Sequence, residues 1–183
     1  RHAGSPGGWY GWGPEALHAA WGEDKTILLS VGDSACHWCH VRAHESFEDP
    51  AVAEVRNRLF VNVKVDREER PDLDAIYMDA VVALTGHGGW PMTVFLLPTG
   101  EPFFGGTYYP PSPRHGLPSF RQVLDAVSAA YRERRVDVTH SASQLVDALR
   151  SSSDLSPSAE PLTGGTLSEA VGNLRRTFDA ERG

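Results

Sequence analysis

The chain has 183 residues, with 17 Lys and Arg against 24 Asp and Glu, a formal charge of −7. At ~150 residues per domain, this is one domain plus decoration, and the 40% of apolar residues can fill one core. An acidic chain without a basic run is a poor nucleic-acid ligand. Its apolar runs fall far short of the ~20 residues of a membrane helix, and two cysteines exclude a disulfide-rich secreted scaffold.

Residues 4–13 mix Gly and Pro with Trp9, Tyr10 and Trp12, and Pro14 sits at the first position of a short helix that reaches Trp21. This extension, residues 1–24, is expected to lay its aromatics on the body of the domain. Thr26 to Val31 is an apolar run rich in strand formers that stops at Gly32, the pattern of a buried strand. Asp33-Ser34-Ala35 then leads into Cys36-His37-Trp38-Cys39-His40, and Val41 to Phe47 has helical spacing. Asp49 as N-cap and Pro50 after it open a further helix. Phe60 to Asp66 alternates with period two and predicts a strand. The charged loop Arg67 to Pro71, read as solvated ion pairs, precedes a helix over Asp72 to Leu84, and Gly86 to Pro91 forms a Gly-rich loop. Met92 to Leu97 predicts another buried strand. The turn residues Pro98-Thr99-Gly100-Glu101 join it to a short strand over Pro102 to Gly105, giving an antiparallel hairpin. Tyr108 to Pro113 reads as a stiff, polyproline-like excursion. Phe120 to Arg135 and Val138 to Arg150 read as helices, which puts the domain proper at residues 25–150. Residues 151–166 are Ser/Pro/Gly-rich and read as a linker, and residues 167–183 as the start of a following helical domain. The element order predicts an α/β domain whose central mixed four- to five-stranded sheet has helices on both faces.

Cys36 and Cys39 stand where a strand ends and a helix begins. Free backbone N–H groups and the positive end of the helix converge there and favour a thiolate over a thiol. In such CxxC motifs the nucleophile titrates at about 3.5–7.5 instead of about 8.5. Cys36 therefore reads as the nucleophile, and Cys39, one turn on, as the thiol that resolves a mixed disulfide. His37, Asp33 and His40 are the nearby candidates for tuning the pair or handling its proton. Trp38 reads as a docking face beside the sulfurs. His87 and Trp90, in the loop ending at Pro91, are expected to face the pair and shape a substrate groove.

Several strings together resemble one family. They are Cys36-His37-Trp38-Cys39-His40, His44-Glu45-Ser46-Phe47-Glu48-Asp49, Val63-Lys64-Val65-Asp66-Arg67-Glu68-Glu69-Arg70-Pro71, Gly88-Gly89-Trp90-Pro91 and Phe104-Gly105-Gly106-Thr107-Tyr108. The family is the spermatogenesis-associated protein 20 (YyaL-like, DUF255) family, and the likeness to its thioredoxin-like N-terminal domain runs from about Trp9 to about Arg150. The resemblance implies a thioredoxin-like fold, a cis Trp90–Pro91 bond opposite the CxxC, and a large α/α-toroid domain beyond this stretch as an intramolecular partner. Two positions depart from the family pattern. Asp33 stands where an aromatic is usual, and Arg42 where an apolar residue is usual. The buried acid that thioredoxin carries six residues before its first cysteine is Ser30 here.

The expected activity is thiol–disulfide exchange on protein or small-thiol disulfides, with no cofactor, nucleic acid or membrane involved. A non-catalytic binding or interdomain module is the alternative. A third reading has Cys36, Cys39, His40 and His44 as metal ligands, with His40 and His44 one helical turn apart. The same string also fits the C-x-x-C-H pattern of haem attachment, which a strand feeding straight into an α/β core disfavours. With no leader pattern of basic, apolar and small residues, and a lone CxxC suited to a reducing compartment, the expected location is the cytoplasm.

Overall fold

The computed structural model describes residues 8–33 and 35–153, with the backbone but not the side chains of Arg42, His44 and Ser153. The chain divides into two units, Arg1–Ser151 and Ser152–Gly183. The linker and following segment expected over 151–183 lie outside the described residues from 154 onward.

Five strands form one sheet: β1 (Trp9–Tyr10), β2 (Thr26–Gly32), β3 (Phe60–Asp66), β4 (Met92–Leu96) and β5 (Pro102–Gly106), in the order β1-β3-β2-β4-β5. Neighbours β1, β3 and β2 are parallel, and β4 runs antiparallel to both of its neighbours, β2 and β5. The helices are α1 (Pro14–Glu23), α2 (His37–Arg42), α3 (Pro50–Leu59), α4 (Pro71–Thr85), α5 (Phe120–Glu133) and α6 (Arg135–Ser153).

The sheet is buried on both faces, which is why β2 reads as a continuous apolar run. Ile27, Leu29 and Val31 point to the α1 and α4 side, where Ala20, Leu73 and Val81 meet them. Leu28 points the other way, into a layer with Phe47, Phe95, Phe120 and Leu124. Each fully buried Ile, Leu, Val or Phe among them contributes roughly 1.5–3 kcal/mol relative to exposure.

Local rules account for the helix starts. Asp49 accepts from Ala51 N–H at 2.8 Å, ahead of Pro50. Ser119 and Gln122 form a reciprocal capping box at α5.

Three expectations change. Within the extension Trp9 and Tyr10 form an edge strand on β3, which the sequence did not predict, and Trp21 turns to solvent at 66% exposure instead of packing on the body. The helical stretch after the CxxC is α2 followed by one π-helical turn, Ala43–Phe47. That turn rotates Phe47 into the core, where it is 1% exposed. Helix α6 runs through Ser153, past the expected start of the linker at 151.

Candidate active site

The register of the sheet decides what lies beside the cysteines. In the parallel pair, Gly32 at the end of β2 is opposite Asp66 at the end of β3. The residues that follow each strand, Asp33 and Arg67, therefore emerge side by side, and Arg67 N–H donates to Gly32 C=O at 3.1 Å. In the antiparallel pair, Met92 at the start of β4 is opposite Val31, so Pro91 arrives at the same end. Thr93 is opposite Gly106, which brings the chain after β5 there as well. Ligands bind in α/β sheets at such carboxyl-end crevices.

Cys36 is the N-cap of α2. It is joined to Cys39 by a disulfide with the Cα atoms 5.2 Å apart. Cys39 N–H donates to Cys36 Sγ at 3.2 Å, the kind of bond that favours a thiolate when the pair is reduced. Gly32 is what lets Cys39 come so close to β2, because a β-carbon there would lie 2.6 Å from Cys39 Sγ. Both cysteines are half-buried.

Asp33 lies under the loop with its side chain only 7% exposed, and forms a salt bridge with Arg67 Nε. The Arg67 hydrogen bond holds its carboxyl below the usual carboxylate range. Burial opposes this, and the N–H groups of Ala35 and Cys36 reinforce it. The Arg67 guanidinium also lies 4.0 Å over the Trp90 ring, and Trp90 Nε1 donates to Asp74 at 2.8 Å. An unbroken line of contacts therefore runs from the cysteine loop to α4 through the loop before β4. The Trp90–Pro91 peptide is cis.

A groove of about 480 Å³ opens beside this line. Trp38, Trp90, Pro91 and Tyr108 form its walls, and Arg114, His115 and Leu117 its far rim. Trp38 and Tyr108 have ring centroids 5.8 Å apart. The Tyr108 hydroxyl donates to Glu45 of the π turn and accepts from Arg114 Nη2 at 3.1 Å. Burial first, and then the Glu45 carboxylate, raise the Tyr108 phenol.

Trp38, Trp90 and Pro91 thus lie together in one groove. His87 does not line it: its Nδ1 is 3.1 Å from Thr85 C=O, and the Thr85 hydroxyl donates to His87 C=O. The α4 terminus claims it. His37 is exposed, with its ring 5.8 Å from that of Trp38, and His40 is exposed on α2. For the metal reading, no three His, Cys, Asp or Glu side chains among the described residues could hold an ion together; the His44 side chain lies outside them. Sequence reasoning missed Arg67, Tyr108, Arg114, His115 and Leu117 as neighbours of the site.

The family model Thioredox_DsbH, described as a protein of unknown function, DUF255, matches residues 1–150. The chain belongs to the DUF255 family. Spermatogenesis-associated protein 20 of Rattus norvegicus is 40% identical over 186 residues, covering 100% of this chain and 24% of that protein. The Homo sapiens protein of the same name is 43% identical over 156 residues, covering 85% and 20%. This DUF255 chain spans about a fifth to a quarter of the length of these curated relatives. Among solved structures, a thioredoxin from Thermus thermophilus superposes with a TM-score of 0.50 at 24% identity, covering 67% of this chain and 87% of that one. A structure titled DsbH Oxidoreductase gives a TM-score of 0.50 at 19% identity, covering 68% and 84%. The DUF255 chain has a thioredoxin-like fold carrying a CxxC-spaced disulfide. No helix of its described residues is long and apolar enough to cross a membrane.

Proposed function

We propose that this domain is a thiol–disulfide oxidoreductase acting through Cys36 and Cys39 on disulfides in peptides or small thiols. The observation that carries the reading is the Cys36–Cys39 disulfide at the carboxyl end of β2, beside Pro91 and an aromatic-walled groove. The structural neighbour DsbH Oxidoreductase agrees with it.

In the reduced domain the Cys36 thiolate attacks one sulfur of a substrate disulfide. The substrate S–S bond breaks, a Cys36–substrate disulfide forms, and one substrate thiolate leaves. Cys39 gives up its proton to solvent and attacks Cys36 Sγ, which re-forms the internal disulfide and expels the second substrate thiolate. Two electrons pass from the cysteine pair to the substrate, and a dithiol donor returns them. Run backwards, the same steps oxidise a substrate dithiol.

Within the site, Asp33 acts electrostatically rather than as a proton carrier. A general base works best with its pKa near the operating pH, whereas Arg67 holds this carboxyl ionised well below neutrality.

The test is the alkylation rate of Cys36 against pH, on protein equilibrated in defined glutathione ratios. The expected result is a thiolate well below ~8.5 and a reversible internal disulfide, both lost in Cys36→Ser. A slow, ordinary thiol that forms no disulfide at any ratio would overturn the reading in favour of a non-catalytic binding module.

A further inference from the structure

The chain between β5 and α5 does more than close the groove. Phe120 N–H donates to Pro110 C=O at 2.8 Å, which fastens the base of an arm over residues 110–118. At its tip, Arg114 and Leu117 exchange both backbone hydrogen bonds, at 3.2 and 2.9 Å. The two residues between them, His115 and Gly116, have φ of 52° and 78°, the left-handed pair of a tight two-residue hairpin. Gly116 is suited to that geometry, and His115 is an uncommon occupant. Such outliers cluster at ligand sites. This turn places Arg114, His115 and Leu117 together on the rim of the groove that holds Trp38 and Trp90.

The rim carries the Arg114 cation, with the Glu45 carboxylate bonded to the same Tyr108 hydroxyl from outside the groove. No carboxylate lines the groove, and the side-chain hydrogen bond of the exposed Arg114 goes to a phenol, the Tyr108 hydroxyl. Guanidinium donors therefore remain for a ligand, at the edge of a trough walled by Trp38, the residue between the two cysteines in the chain. The chain as a whole is acidic, at −7, whereas Arg114 offers this groove a cation.

We infer that the 110–118 arm is a selectivity element that favours disulfide-bearing peptides with an acidic side chain close to the reacting cysteine. In this arrangement Arg114 pairs with the carboxylate, His115 donates a further hydrogen bond, and an apolar neighbour in the peptide rests between Trp38, Trp90 and Leu117. This rests on the oxidoreductase reading above and adds a substrate class to it.

The experiment uses the reduced full chain and two synthetic peptides. Each carries one cysteine as a mixed disulfide with thionitrobenzoate, and they differ only in a Glu or a Lys close to that cysteine. Attack by Cys36 on the peptide sulfur releases thionitrobenzoate, whose absorbance gives the rate. The Glu peptide is expected to react about three- to fivefold faster at low salt, and the gap is expected to narrow as ionic strength rises. Arg114→Glu should reverse the order, and Arg114→Gln should bring the two rates together. His115→Asn, whose side chain suits the left-handed turn, should lower the preference without moving the arm. Equal rates in the unaltered chain, or a preference that survives Arg114→Glu, would overturn the inference and leave the redox reading intact. If neither peptide reacts and an uncharged small disulfide is also left unreduced, the redox reading falls and this inference with it.

Discussion

Gly32 and Cys39 share a space that only hydrogen fits: a β-carbon on Gly32 would sit 2.6 Å from Cys39 Sγ. The obstructing atom is the sulfur of a cross-linked residue, not the free end of a flexible side chain. Gly32→Ala must therefore push the CxxC away from the end of β2 or distort the strand. The expected cost is about 1–3 kcal/mol, a fall in Tm of about 3–10 °C for a chain of this size. Thermal unfolding of the oxidised variant checks it, and an unchanged Tm would contradict the close contact.

The Asp33–Arg67 salt bridge predicts opposite effects from its two halves. Removing the carboxylate in Asp33→Asn leaves the Arg67 cation facing the cysteine loop and favours the Cys36 thiolate. Alkylation of the reduced protein near neutral pH should quicken by about three- to tenfold. Arg67→Gln leaves Asp33 uncompensated and should slow it. The pair also has a pH signature. Asp33 titrates lower folded than its ordinary 3.8, so its stabilisation is present above about pH 4 and is lost as pH falls through the folded value. Acid unfolding of Asp33→Asn should be less steep in that window. Equal alkylation rates in both variants would argue against any electrostatic coupling to Cys36.

Much of this frame was legible in sequence, because both strands that flank the cysteines are buried runs with clear ends. Thr26–Gly32 and Phe60–Asp66 could be placed from apolar pattern and β-branching, and Asp49-Pro50 from capping chemistry. Trp9 and Tyr10 could not be seen as a strand, since two residues carry no period. The π turn at Ala43–Phe47 leaves no separate trace, because one extra residue in a turn is compatible with ordinary helical spacing. The site was half legible. Trp38, Trp90 and Pro91 are read from their proximity in sequence to the CxxC and to a strand start. Arg67 is 34 positions from Asp33, and only the parallel register of β2 and β3 brings them together. His87 misled because closeness to Trp90 in sequence is not closeness in space once Thr85 has tied it to α4. His115-Gly116 escaped because it lacks the Asn-Gly or Asp-Gly signature of its turn.

Tyr108 ties the arm to the π turn through Glu45 and holds Arg114 through the same hydroxyl. Tyr108→Phe keeps the ring against Trp38 but removes both bonds. A hydrogen bond to a charged group contributes about 1.5–3 kcal/mol, less where solvent competes. The local effect should exceed the global one, because the arm hangs on few contacts. Limited trypsin digestion should cut after Arg114 several-fold faster in Tyr108→Phe than in the parent, with a Tm drop of only a few degrees. Equal cleavage rates would show that the base of the arm, Phe120 N–H on Pro110 C=O, holds it unaided.

Buried tyrosines set the alkaline limit of the fold. Burial pushes Tyr109 up to about 12, and burial first, then the charge of Glu101, raises Tyr77 as well. A group whose folded pKa exceeds its unfolded value stabilises fully below the unfolded value, ~10 for tyrosine, and loses that contribution as pH rises toward the folded one. Arg56 works the other way. Burial under the Trp9 and Phe47 rings lowers it to about 10, so its desolvation cost fades as pH rises from there. Two tyrosines losing stabilisation outweigh one arginine regaining it, and stability should fall above about pH 10. Far-UV circular dichroism and phenolate absorbance followed together against pH test this. The buried tyrosines should ionise only as helix content is lost, and Tyr109→Phe should move the transition to higher pH. Complete tyrosine ionisation near pH 10 with the circular dichroism intact would overturn the assignment.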